Sequence, residues 1–223
     1  MRARTTVLAS ALVLSSGLWA QSAGESYHGA KVAKASNIVF PADSAVTGIV
    51  TLGVSLDATG AVQNVAVIRD VPPLTAAAQS GLQSWTFSPA VKNGKSVPGN
   101  LRVHIVFNPF NPGDTGIGEG SEASGGDGNG SGGDFQPARL QTATYALYPV
   151  NTVESGTVVV EVKVDASGGV QEVRVLKGLG ALAGAATQAA KNWAFAPATY
   201  KGNPVRSVVP VVFVFASPAM GTR

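Results

Sequence analysis

Two histidines, His28 and His104, are the side chains of this sequence best suited to bind a metal ion or to move a proton near neutral pH. A zinc site needs three or four His, Cys or carboxylate ligands at short spacings, and neither histidine has such neighbours in the sequence. The chain has no cysteine, so thiolate sites and disulfides are excluded. We therefore predict no metal, no cofactor and no catalytic histidine.

Asp57 and Asp165 each open a segment of the form Asp-x-x-Gly-x-Val. Carboxylates can act as a general acid and base when they are paired. An Asp at the start of a turn, however, normally accepts hydrogen bonds from its own backbone. No Ser–His–Asp arrangement can be argued from the sequence either. We interpret both residues as turn formers and predict that the protein is not an enzyme.

The Gly-rich run at residues 128–133 fits the dinucleotide pattern G-x-G-x-x-G. That pattern can bind a dinucleotide only where it follows a strand and opens a helix. Here no strand pattern precedes it and no helical pattern follows it. Asp127, Asn129 and Ser131 resemble the start of a calcium loop, but Ala138 stands where its final Glu is required. Both patterns are interpreted as chance matches.

A tandem repeat organises the chain. Residues 57–63 recur as 165–171, and residues 85–90 recur as 193–198, each pair separated by the same 108 positions (165 − 57). The match needs no gap from Pro41 to Phe107, and a repeat of this length indicates a duplicated domain. We call two residues 108 positions apart twins.

Within each repeat the apolar pattern predicts two strands, a helix and a third strand. Period-two alternation predicts the strands, and Asp57 and Asp165 begin the turns of the predicted hairpins. Apolar residues at helical spacing, headed by Leu74 and Leu182, predict the helices. The predicted class is α+β: two tandem ββαβ units, each a small three-stranded antiparallel sheet with a helix packed on one face.

The last strand of the second unit is apolar on both faces, whereas its twin carries Arg102 and His104 among its outward positions. Pro210 removes a ladder donor, which predicts an edge strand. Exposed apolar surface commonly marks a contact site. The predicted partner-binding residues of this edge are Val208, Val209, Pro210, Val211, Val212, Phe213 and Val214.

Aromatic residues follow each predicted helix as Trp-x-Phe pairs. They could form a ligand platform, but aromatic residues at the end of a core-facing helix usually pack inside. We predict that Trp85, Phe87, Trp193 and Phe195 are structural core.

The N-terminus has the features of a secretory signal. Arg2 and Arg4 precede an apolar stretch at residues 7–18, which is shorter than a bilayer span. We predict a signal peptide at 1–20 and a periplasmic protein, with an uncleaved inner-membrane anchor as the alternative. Loss of both arginines would lower the formal net charge from +3 to +1, so no nucleic-acid partner is predicted.

The remaining boundaries follow from composition. Residues 111–135 are rich in Gly, Ser and Asp and predict a flexible linker, and residues 21–36 predict a shorter loose segment. The two predicted domains are therefore 37–109 and 137–217, and we expect them to fold independently.

These residues resemble a known family. Each repeat has, in order, an aromatic-Pro pair (Phe40-Pro41 and Tyr148-Pro149), a Gly that opens a Val-rich strand, and D-x-x-G-x-V. A Leu-headed helix, W-x-F-x-P-A and a Phe-ended strand follow. Over about 40–108 and 148–216 the chain resembles the C-terminal domain of TonB-type energy transducers.

The resemblance implies a periplasmic module that binds outer-membrane receptors. In the family the last strand is an open edge that adds an extended peptide, which corresponds here to residues 207–215 and 100–107. The chain departs from the family because it has two domains, no clear membrane helix and no Pro-rich spacer.

The functional prediction is an exported TonB-like binding protein. It would contact an outer-membrane receptor or another envelope protein by edge-strand addition, in support of transmembrane transport. The alternative is a periplasmic scaffolding protein that self-associates and transduces no energy. A homodimer and a contact between the two repeats are left open as further uses of the last strand.

Overall fold

The computed structural model describes residues 26–42, 44, 46–108, 134–150, 152–178 and 180–216. The predicted signal peptide and positions 111–133 of the predicted linker lie outside these residues.

The described residues of the first half of the chain form eight strands and one helix. In chain order they are β1 (Tyr27–His28), β2 (Lys31–Lys34), β3 (Gly48–Leu56), β4 (Val62–Arg69), α1 (Leu74–Leu82), β5 (Thr86–Ser88), β6 (Ala90–Lys92), β7 (Lys95–Val97) and β8 (Gly99–Asn108).

The second repeat has the same order. Its elements are β9 (Phe135–Gln136), β10 (Arg139–Thr142), β11 (Gly156–Val164), β12 (Val170–Lys177), α2 (Gly180–Lys191), β13 (Ala194–Ala196), β14 (Ala198–Tyr200), β15 (Asn203–Val205) and β16 (Ser207–Phe215). The hairpins, helices and last strands predicted from periodicity are thus present in both repeats, and the α+β class is confirmed.

Six long strands form one sheet in the order β12-β11-β16-β8-β3-β4. Within each repeat the neighbours are antiparallel, whereas β16 and β8 pair in parallel at the centre, with Val211 opposite His104 and Phe215 opposite Asn108. The predicted pair of separate three-stranded sheets is therefore wrong: each is half of one mixed sheet. Both last strands are buried on each face, which places them inside the sheet and not at its edge.

The two helices lie on opposite faces of this sheet. Val50, Val54 and Leu101 cluster with Leu74 of α1, whereas Val160 and Val211 belong to the cluster of Leu182 in α2. Side chains alternate between faces along a strand, so the two clusters lie on either side of the sheet. The arrangement has an approximate two-fold axis parallel to the strands, between β8 and β16.

The two cores interpenetrate. Ile49 and Val106 of the first repeat belong to the cluster around α2. Val159, Val212 and Val214 of the second repeat belong to the cluster around α1. The expectation of two independent cores is not supported, because each cluster contains residues of both repeats.

The segment before each β-hairpin is also structured. Residues 21–36 are predicted to be loose, but in the described part of this segment, 26–36, β1 pairs with β6 and β2 pairs with β5. Further along, the backbone N–H of Ile38 donates to Thr157 Oγ1 at 3.0 Å, and that hydroxyl donates to the Ile38 carbonyl at 2.8 Å. The first repeat is thereby tied to β11 of the second.

The reciprocal link uses different chemistry. The N–H of Ala146, the twin of Ile38, donates to Asn108 Oδ1 of β8 at 3.0 Å. The leading segment of each repeat is thus hydrogen-bonded to a long strand of the other, and these links add to the pairing of β8 with β16.

Candidate partner-binding surfaces

The predicted edge strand is the centre of the sheet. The residues from Val208 to Val214 all lie in β16, which pairs with β11 on one side and with β8 on the other. Val212 is fully buried, opposite Val159 and Ile105. The edge prediction is wrong, because a strand that is apolar on both faces is satisfied in the middle of a sheet covered by helices on both sides.

Pro210 is compatible with this central position because it removes no hydrogen bond from the parallel pairing of β16 with β8. It lies opposite Glu161 of β11, and the pairing with β8 begins at the next residue, Val211. The missing N–H therefore falls just outside the parallel ladder, which explains why the proline did not force β16 to an edge.

All four Trp-x-Phe residues are buried: Trp85, Phe87, Trp193 and Phe195. Each Trp follows its helix, and each Phe lies in the short strand beyond. The twins differ in one bond. Trp193 Nε1 donates to the Thr144 carbonyl at 3.0 Å, whereas Trp85 Nε1 has no hydrogen-bond partner among the described residues. None of these rings forms an exposed ligand platform.

His104 is enclosed in the sheet and has no access to a substrate. Its Nδ1 lies 3.1 Å from Thr51 Oγ1 on the neighbouring strand. The centroid of its ring lies 6.3 Å from that of Trp193 and 6.0 Å from that of Phe195. Burial, followed by the positive charges of Arg102 and Arg69, lowers the pKa of His104 to about 3. The residue therefore stays neutral at physiological pH and serves packing.

Two features are absent from the described part of the chain. No group of three or more His, Cys, Asp or Glu residues comes together there as a metal site. Neither α1 nor α2 has the length and apolar character needed to cross a bilayer.

The Asp turns are local backbone structures. Asp165 Oδ1 accepts hydrogen bonds from the Ser167 hydroxyl at 2.6 Å, the Ser167 N–H at 2.8 Å and the Gly169 N–H at 3.0 Å. These bonds, the hydroxyl bond first, lower the pKa of Asp165 to about 2. Asp57 makes the same set of bonds with Thr59 and Ala61. Both carboxylates are thus held in their turns by local hydrogen bonds.

Two clefts flank the end of the sheet where these turns lie. Tyr27 stacks on Tyr200 at a ring-centroid distance of 4.9 Å and contacts its twin Phe135 at 4.8 Å. The cleft beside Asp165 has a volume of about 500 Å³ and that beside Asp57 about 450 Å³. Burial, followed by the neighbouring Tyr200, raises the pKa of Tyr27 to about 12, so its hydroxyl stays protonated. Both clefts are open to solvent and are lined by turn and strand-end residues.

The backbone edges of the sheet are β4 and β12. Among the described residues, no strand pairs with the outer side of either one. Val67 on β4 and its twin Val175 on β12 are 40% and 42% exposed. An unpaired edge of this kind can accept another extended chain.

The two edges differ in charge. β12 carries Glu172 and Arg174, which bind Lys163 and Glu161 of β11 at 2.6 and 3.0 Å. At the β4 edge, the twin positions on β3 and β4 are Ser55 opposite Asn64 and Gly53 opposite Ala66. β4 is uncharged from Val62 to Ile68.

Sequence reasoning missed both edges. It assigned the hairpin strands β4 and β12 correctly but treated the last strands as the open ones. The sequence signal that could have identified the edges is the pattern of polar and apolar residues along each strand. β4 and β12 have exposed residues throughout, whereas β8 and β16 are apolar or buried on both faces.

Comparison with known proteins gives one match. The family model described as "Gram-negative bacterial TonB protein C-terminal" matches residues 41–109 and again 147–215, together more than half of the chain. No curated protein and no solved structure matches the chain.

Proposed function

Because the chain belongs to the family of Gram-negative bacterial TonB protein C-terminal domains, present here as two tandem copies, we propose that it is an exported envelope protein. Its role is to hold an extended segment of another envelope protein, in support of transport across the outer membrane. The periplasm is the proposed location, since the N-terminal residues resemble a secretory signal.

The observation that carries this proposal is the pair of open edges on the six-stranded sheet. β16, the strand that the resemblance suggested for peptide binding, is hydrogen-bonded on both sides by β11 and β8. Strand addition to the six-stranded sheet therefore requires β4 or β12, whose outer sides pair with no strand in the described part of the chain. Main-chain hydrogen bonds at such an edge supply affinity for an extended peptide.

The second candidate function is self-association as a scaffold. The same open edges favour it, because β4 of one copy could pair with β4 of a second copy and extend the sheet. This alternative needs no receptor and no transport.

Site-specific cross-linking distinguishes the two functions. A photoreactive amino acid is placed at Val67 in β4 or Val175 in β12, and the protein is produced in a Gram-negative host. Gln188, an exposed residue of α2, is the control position. Cross-linked products are identified by mass spectrometry.

We expect cross-links from at least one edge position to an outer-membrane or other envelope protein, and none from Gln188. Cross-links only between two copies of this chain would support scaffolding and contradict the proposal. An absence of cross-links at both edges would rule out strand addition.

A further inference from the structure

The two edges of the sheet are twins in sequence position but not in chemistry, and we propose that β4 is the edge used for strand addition. Its partner is an extended segment whose side chains are uncharged and apolar on alternate positions. This inference rests on the proposed function, because it chooses between the two edges that the function requires.

The first argument is the charge along each strand. Charged side chains protect sheet edges from pairing with other chains. β12 has Glu172, Arg174 and Lys177, whereas β4 has no charge before Arg69 at its end. An incoming strand beside β12 meets charges of both signs, and one beside β4 meets none over seven consecutive residues.

The second argument is how the helices cover the two edges. α2 has twelve residues and packs on both β11 and β12, whereas α1 has nine residues and packs mainly on β3. α1 therefore packs less on β4 than α2 does on β12, although the twins Val67 and Val175 are exposed to nearly the same degree. Val67 lies on the α1 face because it is opposite Leu52, a residue of the α1 cluster.

The two faces of β4 define the chemistry of the partner. On the α1 face, Val65 and Val67 would lie beside the side chains of an added strand and extend the apolar cluster. On the opposite face the neighbours would be Asn64 and Ala66, which are neutral and small. The one charge of β4 is Arg69 at its end, opposite Thr51. Beside Val62 to Ile68 a charged side chain in the added strand would therefore go unmatched, whereas Val, Ile or Thr would fit.

Two synthetic peptides test the proposal with the full-length protein. One is eight residues long, like β4, alternates Val and Thr, and carries a soluble fluorescent tag. The other has Lys and Glu in place of Thr. Binding is measured by fluorescence anisotropy, and hydrogen exchange monitored by mass spectrometry shows which strand becomes protected.

The matched variants are Val67→Lys on β4 and Val175→Lys at the twin position on β12, which are exposed to the same degree (40% and 42%). We expect the uncharged peptide to protect β4, and Val67→Lys to weaken its binding about tenfold, while Val175→Lys changes it less than about twofold. Val62→Lys, also on β4 and 42% exposed, should repeat the effect if Val67→Lys alters folding.

Protection of β12, equal losses from both variants, tighter binding of the charged peptide, or no binding of either peptide would each overturn the assignment to β4. Cross-linking of an envelope protein from Val175 alone would then retain the proposed function and reject only this choice of edge. Absence of envelope cross-links at both edges would reject the function itself.

Discussion

At the residue scale, twin positions carry different solutions to the same packing problem. Ile38 packs so closely on Gly81 of α1 that a Cβ added to this glycine would lie 2.6 Å from Ile38 Cγ1. At the twin positions, Ala146 and Ala189 are both buried. The first repeat therefore pairs the large Ile38 with a glycine, whereas the second repeat pairs two alanines. Exchange of one member alone would leave a void or a clash.

His104 illustrates a second departure at a twin position, because Val212 is its counterpart and both are fully buried. The neutral imidazole is tolerated since Thr51 contacts its Nδ1. Protonation would place a positive charge in the core beside Arg102 and Arg69. Folding therefore holds the pKa of His104 below that of the unfolded chain.

We predict that His104 makes the protein acid-sensitive. Its pKa is about 3 in the folded state and about 6.5 when unperturbed, so only the unfolded chain binds this proton between those values. The stability contributed by the neutral ring is fully present above pH 6.5 and is lost as the pH falls towards 3. The measurement is the free energy of unfolding by urea between pH 7 and pH 4.5.

The control for that experiment is His104→Asn, whose amide can still contact the Thr51 hydroxyl but does not titrate. We expect the variant to lose about one proton's worth of the pH slope in this range. Asp57 and Asp165 do not confuse the comparison, because hydrogen bonds lower their pKa and their contribution is lost only at more acidic pH. A slope unchanged by His104→Asn would contradict the prediction.

At the scale of elements, each β-hairpin turn packs closely against the short strand that follows the helix. The N–H of Phe195 donates to the Gly168 carbonyl at 3.2 Å. Gly168 has φ of +93°, and a Cβ at this position would lie 1.9 Å from the Phe195 carbonyl oxygen. The turn sequence thus serves both the hairpin and the contact with β13.

We predict that Gly168→Ala destabilises the protein far more than Gly202→Ala. Gly202 has a similar φ of +78° but open space around its Cβ position, so alanine there should cost only the backbone strain of about 1–2 kcal/mol. Gly168→Ala adds a clash with backbone, which must move. Urea unfolding followed by tryptophan fluorescence gives both values, and equal costs would show that the turn is not packed against β13 as described.

At the scale of the whole molecule, the chain resembles a dimer joined into one polypeptide. The parallel pairing of β8 and β16, the crossed leading segments and the mixed cores all connect the two halves. Lys92 of the first half and Asp134 of the second add an ion pair at 3.5 Å. That pair is partly exposed, so the shared sheet and cores contribute most of the association.

We predict that the halves stay together when the chain between them is cut. A protease site inserted within residues 111–133 should be cleaved to give two fragments that still elute as one particle in size-exclusion chromatography with light scattering. They should separate only in denaturant. The reason is that separation would expose both last strands and the valines buried between them.

An isolated second half, beginning at Asp134, provides the companion measurement. With β8 absent, the open side of β16 should drive it to form a dimer or leave it without cooperative unfolding. A stable monomer with cooperative unfolding, or fragments that separate after cleavage, would show that the two halves are independent after all.

The sequence by itself determined the duplicated unit, its hairpins, its helices and its family. Period-two and helical patterns depend on neighbours within a few residues, and Asp165 with Gly168 specifies its turn through local hydrogen bonds. The burial of Trp193 and Phe195 also follows from their place after a core-facing helix. These features were predictable because the interactions that specify them are short in sequence.

Only the tertiary structure decided which strands form the edges. A strand such as β16, apolar on both faces, is equally compatible with a partner's strand, a second copy or β8, because each would cover it. The choice depends on contacts between residues more than a hundred positions apart, such as Val211 with His104 and Ile38 with Thr157. Those contacts place the last strands at the centre of the sheet and leave β4 and β12 as its edges.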